Sequence, residues 1–147
     1  MIYICDIDGT VADISHRLHF IRKEPKDWRG FFAACPQDQP ILPVILTIRA
    51  LRDSGAQIVF VTGRSDEIRK ETVEWLGKFQ LVNRSALFFR QQGDHREDKI
   101  LKSELLDQVL ELFPAETIAG VFEDRKQVVE MYRSRGLTVF QVADGDY

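Results

Sequence analysis

The chain has 147 residues, 44% of them apolar and 29% charged, with a formal net charge of −3. That composition suits one compact domain with its own core and excludes both a disordered chain and a general polycation, so any nucleic-acid contact must come from a local basic patch. No apolar run approaches the length of a transmembrane helix, and the N-terminus lacks the regions of a signal peptide. Cys5 lies inside the first apolar run and Cys35 beside Pro36, with no C-x-x-C pair. We expect Cys5 as a small buried residue, no supported disulfide, and a reducing, cytoplasmic compartment.

In chain order, residues 2–6 (IYICD) read as a short buried strand. Residues 13–40 break the strand–helix rhythm and read as one or two short helices forming a small lid or rim, ended by Pro36 and Pro40. A helix over 42–54 stops at Gly55, and 57–62 (QIVFVT) reads as a strand. Residues 66–79 predict an amphipathic helix on Ile68, Val73, Leu76 and Phe79, followed by a strand at 86–90 (ALFFR). Residues 98–113 place Leu101, Leu105, Val109 and Leu112 on one helical stripe. A strand at 117–122 (TIAGVF), a helix at 126–136 and a strand at 138–142 (TVFQV) complete the pattern.

The alternation predicts an α/β domain over 1–147: a three-layer, Rossmann-like arrangement with a central parallel sheet of about five strands. Function in such sheets gathers at the carboxyl ends of the strands. Those ends read Asp6-Ile7-Asp8, Thr62-Gly63-Arg64 and Glu123-Asp124-Arg125, each polar and charged directly after an apolar run.

Asp8-Gly9 suits a hairpin turn. Against that, Val11, Ile14, Leu18 and Ile21 follow at helical spacing, and the D-x-[DN]-x-[DN]-G pattern of a calcium loop is absent. Spacing alone leaves the turn reading open. In extended backbone Asp6 and Asp8 point the same way and repel unless a cation lies near. Mg2+ is the natural partner, with a further carboxylate from Glu123-Asp124. It would offset the charge of a bound phosphate and leave one aspartate free to attack.

The run Asp6-Ile7-Asp8-Gly9-Thr10 resembles the DxDGT signature of the haloacid dehalogenase-like (HAD) phosphatases. Thr62 in VTGR, Lys102 and Glu123-Asp124 resemble the remaining family motifs, in order. The segments QQGDHREDKILK, EDRKQVVEMYRSRG and QVADGDY further resemble the 3′-phosphatase domain of phage-type polynucleotide kinase/phosphatase.

The resemblance implies a nucleophilic Asp6 that forms an aspartyl-phosphate, and Asp8 as general acid and then general base. It implies Mg2+ held by the carboxylates of Asp6 and Asp124 and the backbone carbonyl of Asp8, with Glu123 as an outer partner. Thr62 and Lys102 would contact the phosphate, and Gly9 would let the backbone approach it. Thr10, Gly63, Arg17, Arg64 and Asp98 join the candidate substrate-binding set. Lys102 alone would read as a solvated i,i+4 pair with Asp98, whereas within the motif Asp98 is expected to orient Lys102. Arg125 reads as a structural ion pair.

Residues 16–29 (HRLHFIRKEPKDWR) carry five Lys/Arg against two Asp/Glu, with Phe20, Trp28, Phe31 and Phe32 interleaved or adjacent. Cations with aromatics suit phosphate contact plus base stacking. The plainer reading makes the aromatics the lid's own small core and leaves His16 and His19 on the surface. A short rim leaves the strand ends open to a polymer end. The expected substrate is therefore a 3′-phosphorylated DNA or RNA end or a nucleotide, with no membrane partner. Two alternatives stand beside it: a phosphatase for a free nucleotide or other small phosphometabolite, and a non-catalytic nucleic-acid- or nucleotide-binding domain. G-x-x-x-x-G-K-[ST] is absent, so no kinase half is expected within these residues.

Overall fold

The computed structural model describes residues 1–82 and 86–147. Strands β1 (Ile2–Cys5), β4 (Gln57–Ser65), β5 (Ala86–Arg90), β6 (Ile118–Glu123) and β7 (Val139–Gln141) form one parallel sheet in the order β5-β4-β1-β6-β7. A two-residue ribbon pairs β2 (Ala12–Asp13) antiparallel with β3 (Gln39–Pro40). β1 is central: Ile4 stands beside Val59 on one side and Val121 on the other.

Alternation along the strands separates two cores, because successive side chains leave opposite faces. Ile2, Ile4, Val59, Val61 and Val121 pack against helices α4 (Asp98–Leu112) and α5 (Lys126–Ser134). Cys5, Ile58, Phe60 and Phe122 pack against α2 (Leu42–Asp53) and α3 (Arg69–Lys78). The result is the expected three-layer α/β arrangement. Two stripe assignments shift. On α3 the buried row is Thr72, Trp75 and Leu76, with Phe79 packed against it, and Val73 falls beside it. On α4 the inward residues are Leu101, Leu105, Leu106 and Val109, while Leu112, the last residue of the helix, is 65% exposed.

The lid runs as a 3-10 segment (Ser15–Phe20), the short helix α1 (Trp28–Ala33) and a second 3-10 turn (Cys35–Gln37). Asp27 caps α1 by accepting the Gly30 N–H at 2.8 Å. Ile14, Leu18 and Phe31 form its small core, with Phe20, Ile21, Phe32 and Tyr147 packed around them. Cys5 and Cys35 are both buried free thiols. Among the described residues no helix is long and apolar enough to cross a membrane.

Ile4 is fully buried in the central strand. Ile4→Ala is expected to cost about 3 kcal/mol through lost burial and the cavity left behind, read from urea denaturation.

Candidate active site

β1, β4 and β6 are neighbours in the sheet, so their carboxyl ends converge. The carbonyl of Ile7 accepts the N–H groups of Thr10 (3.2 Å), Val11 (3.0 Å) and Ala12 (3.0 Å), which curls residues 7–12 into a tight loop. β2 then pairs with β3 rather than returning along β1, so the hairpin reading of Asp8-Gly9 does not hold. Gly9 sits at φ +81°, and a Cβ there would lie 2.2 Å from Asp124 Oδ2. Both facts require glycine. In β4 the register breaks between Val61 and Ser65, which lifts Thr62-Gly63-Arg64 out of the regular ladder.

Asp6, Glu123 and Asp124 are buried with one carboxylate oxygen of each within 4.8 Å of the others. Lys102, reaching in from α4, donates to Asp6 Oδ1 at 2.7 Å and Glu123 Oε2 at 2.8 Å. The other Glu123 oxygen accepts the backbone N–H groups of Asp124 and Arg125, both at 3.1 Å. Both Glu123 oxygens are thus engaged within the protein. The Thr10 hydroxyl bridges Asp6 Oδ2 (3.3 Å) and Asp124 Oδ1 (3.1 Å).

Burial and then Glu123 push the Asp6 carboxyl well above its ordinary value, although Lys102 pulls the other way. Burial would lower Lys102, yet Asp6 and Glu123 hold it well above the ordinary lysine value. Fully ionised, three carboxylates against one ammonium leave two uncompensated negative charges. Hard oxygen donors with that excess fit a divalent cation such as Mg2+, which the carboxylates of Asp6 and Asp124 would hold.

Asp8 faces a separate cluster. Its Oδ1 accepts Arg17 Nη2 at 2.8 Å, Arg64 Nε at 2.9 Å and Arg64 Nη2 at 2.7 Å. Among the described residues nothing is bonded to Oδ2. Buried Asp38 completes the group, accepting Arg17 Nε at 2.7 Å, Arg17 Nη2 at 2.8 Å and Arg64 Nη2 at 2.8 Å. Here two carboxylates meet two guanidiniums in balance, and His16, half out at the rim, adds a 2.7 Å contact to Asp38. Burial would raise Asp8, but Arg64 and then Arg17 hold it below the usual carboxylate range.

The structure brings Asp6, Asp8, Gly9, Thr10, Thr62, Glu123 and Asp124 together at adjoining strand ends, and Lys102 joins them from α4. Asp6 and Asp8 do not need one shared cation to coexist, because Lys102 takes the first and the arginines take the second. Arg17 and Arg64 are fully buried and turned onto Asp8 and Asp38 rather than onto open space. The expectation that Asp98 orients Lys102 gives way: Asp98 pairs with Arg90 (2.5 Å) and Arg125 (2.7 Å) at the start of α4. Lys102, one turn further along α4, reaches Asp6 and Glu123 instead. Gly63 packs against Asp98, where a Cβ would lie 2.9 Å from its Oδ1.

Two residues escaped the sequence reading. Asp38 lies in an irregular stretch between two glutamines with no motif around it. Tyr147 belongs to the segment QVADGDY, yet only the fold shows its hydroxyl donating to the Asp8 carbonyl at 2.7 Å. Burial, with Asp6 and Asp124 nearby, pushes that phenol well above its ordinary value, so it stays a donor.

The family model of the polynucleotide kinase PNKP phosphatase domain matches residues 1–147. A protein of Autographa californica nuclear polyhedrosis virus, assigned as a bifunctional polynucleotide kinase/RNA ligase, is 31% identical over 141 residues, covering 95% of this chain and 19% of that protein. A chain of the Pnkp1/Rnl/Hen1 complex superposes with a TM-score of 0.79 at 29% identity, covering 99% of this chain and 46% of that one. The Class C acid phosphatase of Bacillus anthracis with tungstate bound shares the fold, with a TM-score of 0.65 at 17% identity over 99% of this chain and 67% of that one. The chain thus spans about a fifth of the viral relative and under half of the Pnkp1/Rnl/Hen1 chain.

Burial and Glu123 also raise the Asp124 carboxyl to about 6, against Lys102. Between about pH 4 and that value the unfolded chain releases this proton while the folded chain keeps it. The metal-free fold therefore loses stability as pH rises through that window. A divalent cation removes this cost, so added Mg2+ is expected to raise the melting temperature more at pH 7 than at pH 5. Equal shifts at both pH values would contradict the assignment.

Proposed function

Because the chain belongs to the family of polynucleotide kinase PNKP phosphatase domains, HAD-type phosphatases, we propose that it is a Mg2+-dependent phosphomonoesterase that removes 3′-phosphates from polynucleotide ends or nucleotides. The observation that carries the reading is the separation of Asp6 and Asp8 into unlike settings two residues apart. One lies in a cluster with excess negative charge, the other in an arginine clamp with one oxygen left unbonded among the described residues.

In the proposed reaction an Asp6 oxygen attacks phosphorus while the bond from phosphorus to the 3′ oxygen breaks. Asp8 gives its proton to the departing oxygen. Water then attacks the aspartyl-phosphate, the Asp6–phosphorus bond breaks, and Asp8 takes the proton back. The arginines keep Asp8 ionised in the free chain, which suits the second half. A phosphate dianion beside it adds the negative charge that raises it for the first. Bound Mg2+ would neutralise charge on the phosphate oxygens. Lys102 spends two N–H groups on Asp6 and Glu123 and keeps a third for phosphate. The Thr62 hydroxyl accepts the Arg64 N–H at 3.1 Å and keeps its own proton to donate.

The lid supports a polynucleotide as substrate. Phe31 is buried and Phe20 and Phe32 are packed around it, but Trp28 stays 47% exposed. The Lys26 ammonium lies 5.8 Å from the Trp28 ring centre. Trp28 meets Phe31 edge-on at 5.8 Å, and the Arg17 guanidinium lies 4.2 Å over Phe31. Arg17 in turn reaches Asp8, so an exposed aromatic with cations around it stands three contacts from the reacting carboxyl. A base stacked on Trp28 with its phosphates among Arg22, Lys23, Lys26 and Arg29 fits that rim.

The test is Mg2+-dependent phosphate release from a 3′-phosphorylated oligonucleotide, beside its 5′-phosphorylated counterpart and a 3′-mononucleotide. Release from the 3′-oligonucleotide, abolished in Asp6→Asn, is expected. Release from the mononucleotide alone would shift the reading to small substrates, and no release from folded, Mg2+-supplied protein would sink it. Trp28→Ala is expected to raise the KM for the oligonucleotide about tenfold, and not that for p-nitrophenyl phosphate. Parallel changes for both substrates would remove the stacking role.

A further inference from the structure

After β7 the chain turns back over the nucleophile loop. The Val142 N–H donates to the Glu123 carbonyl at 3.0 Å, and Gln141 Nε2 donates to the Asp124 carbonyl at 3.3 Å. Gly145, at φ +64°, lies so close to this backbone that a Cβ would come within 2.6 Å of the Asp124 carbonyl oxygen. This path seats Tyr147 at the site. Its carbonyl accepts Arg125 Nη2 at 3.1 Å, the same guanidinium lies 5.0 Å from the centre of its ring, and the ring packs on the lid core. The proposed reaction gives this side chain no role.

Its hydroxyl closes a clamp on the Asp8–Gly9 peptide. The Gly9 N–H donates to the Ala12 carbonyl at 2.8 Å, and the Asp8 carbonyl accepts the Tyr147 hydroxyl at 2.7 Å. A peptide next to a glycine is easily rotated, and bonding it on both sides removes that freedom. A Cβ on Gly9 would meet Asp124 Oδ2 at 2.2 Å and the Tyr147 hydroxyl at 2.9 Å, so phenol and carboxylate border the same small space. A carbonyl oxygen has two lone pairs, so holding one leaves the other available to a cation.

We infer that Tyr147 is a positioning residue for the cation site, its hydroxyl fixing the Asp8 carbonyl so that this oxygen is presented together with the carboxylates of Asp6 and Asp124. The inference rests on the reading of that acid cluster as a divalent-cation site.

Tyr147→Phe keeps the ring and deletes the hydroxyl. Binding of Mg2+ alone, by calorimetry without substrate, is compared in the wild-type chain, Tyr147→Phe and Asp124→Asn, with melting curves to confirm folding. The dissociation constant of Tyr147→Phe is expected to rise about three- to tenfold, the scale of one hydrogen bond. Asp124→Asn marks the scale of losing a ligand. An unchanged dissociation constant would reduce Tyr147 to a packing residue, and tighter binding would make its hydroxyl a competitor for the carbonyl. Either overturns the inference while the cation reading stands. A wild-type chain that binds no Mg2+ would overturn the cation reading and this inference with it.

Discussion

Three buried carboxylates face one lysine where β1 and β6 end. Much of the rest of the site follows from that imbalance. Lys102 answers it from α4, through the apolar layer that α4 and α5 build on that face of the sheet. Glu123 must be satisfied from both sides so that Asp6 and Asp124 are left with oxygens to spare. Gly9 must lack a side chain because Asp124 occupies the space a Cβ would need. A fold of ordinary composition thereby keeps a concentrated negative site at one edge.

The neighbouring cluster of Asp8, Asp38, Arg17 and Arg64 is balanced, and that difference divides the labour. Balanced, hydrogen-bonded buried charges hold their geometry, whereas an unbalanced group calls for a ligand. The balanced cluster also fastens the lid. Arg17 and Asp38 belong to the lid, Asp8 and Arg64 to the strand ends, so the same contacts that set the Asp8 carboxyl anchor residues 15–40 over the sheet. Trp75 strengthens the seam by donating Nε1–H to the Asp38 carbonyl at 2.9 Å.

The sheet and the strand-end acids were legible because both follow from local pattern. Alternating apolar runs define strands, and a parallel sheet delivers their carboxyl ends to one edge. The lid was legible only as one or two short helices somewhere in residues 13–40, since the six residues of α1 are too few to show a period that would fix its bounds. Asp98 and Lys102 look like partners at i,i+4 because spacing reports only the helix they share. Depth in the fold decides instead, sending Lys102 to Asp6 and Glu123 and leaving Asp98 to Arg90 and Arg125. Arg17 and Arg64 carry the charge expected of phosphate ligands, but an acid buried in the lid draws them inward. Asp38 has no pattern of its own because its partners lie 21 and 26 residues away.

One oxygen of Asp8 takes all three arginine N–H bonds, while the carboxylate keeps 17% of its side-chain surface open. On the proposed reaction both proton transfers then pass through Oδ2 alone. The departing hydroxyl and the incoming water need the same place beside that oxygen, and they cannot share it. Under the proposed reaction product release would take a fixed order: the dephosphorylated end would leave before water could enter, and inorganic phosphate would leave last. A nucleic-acid end that lingers on the rim would therefore slow the second half of the cycle without touching the first, and turnover would be limited by how quickly the strand lets go.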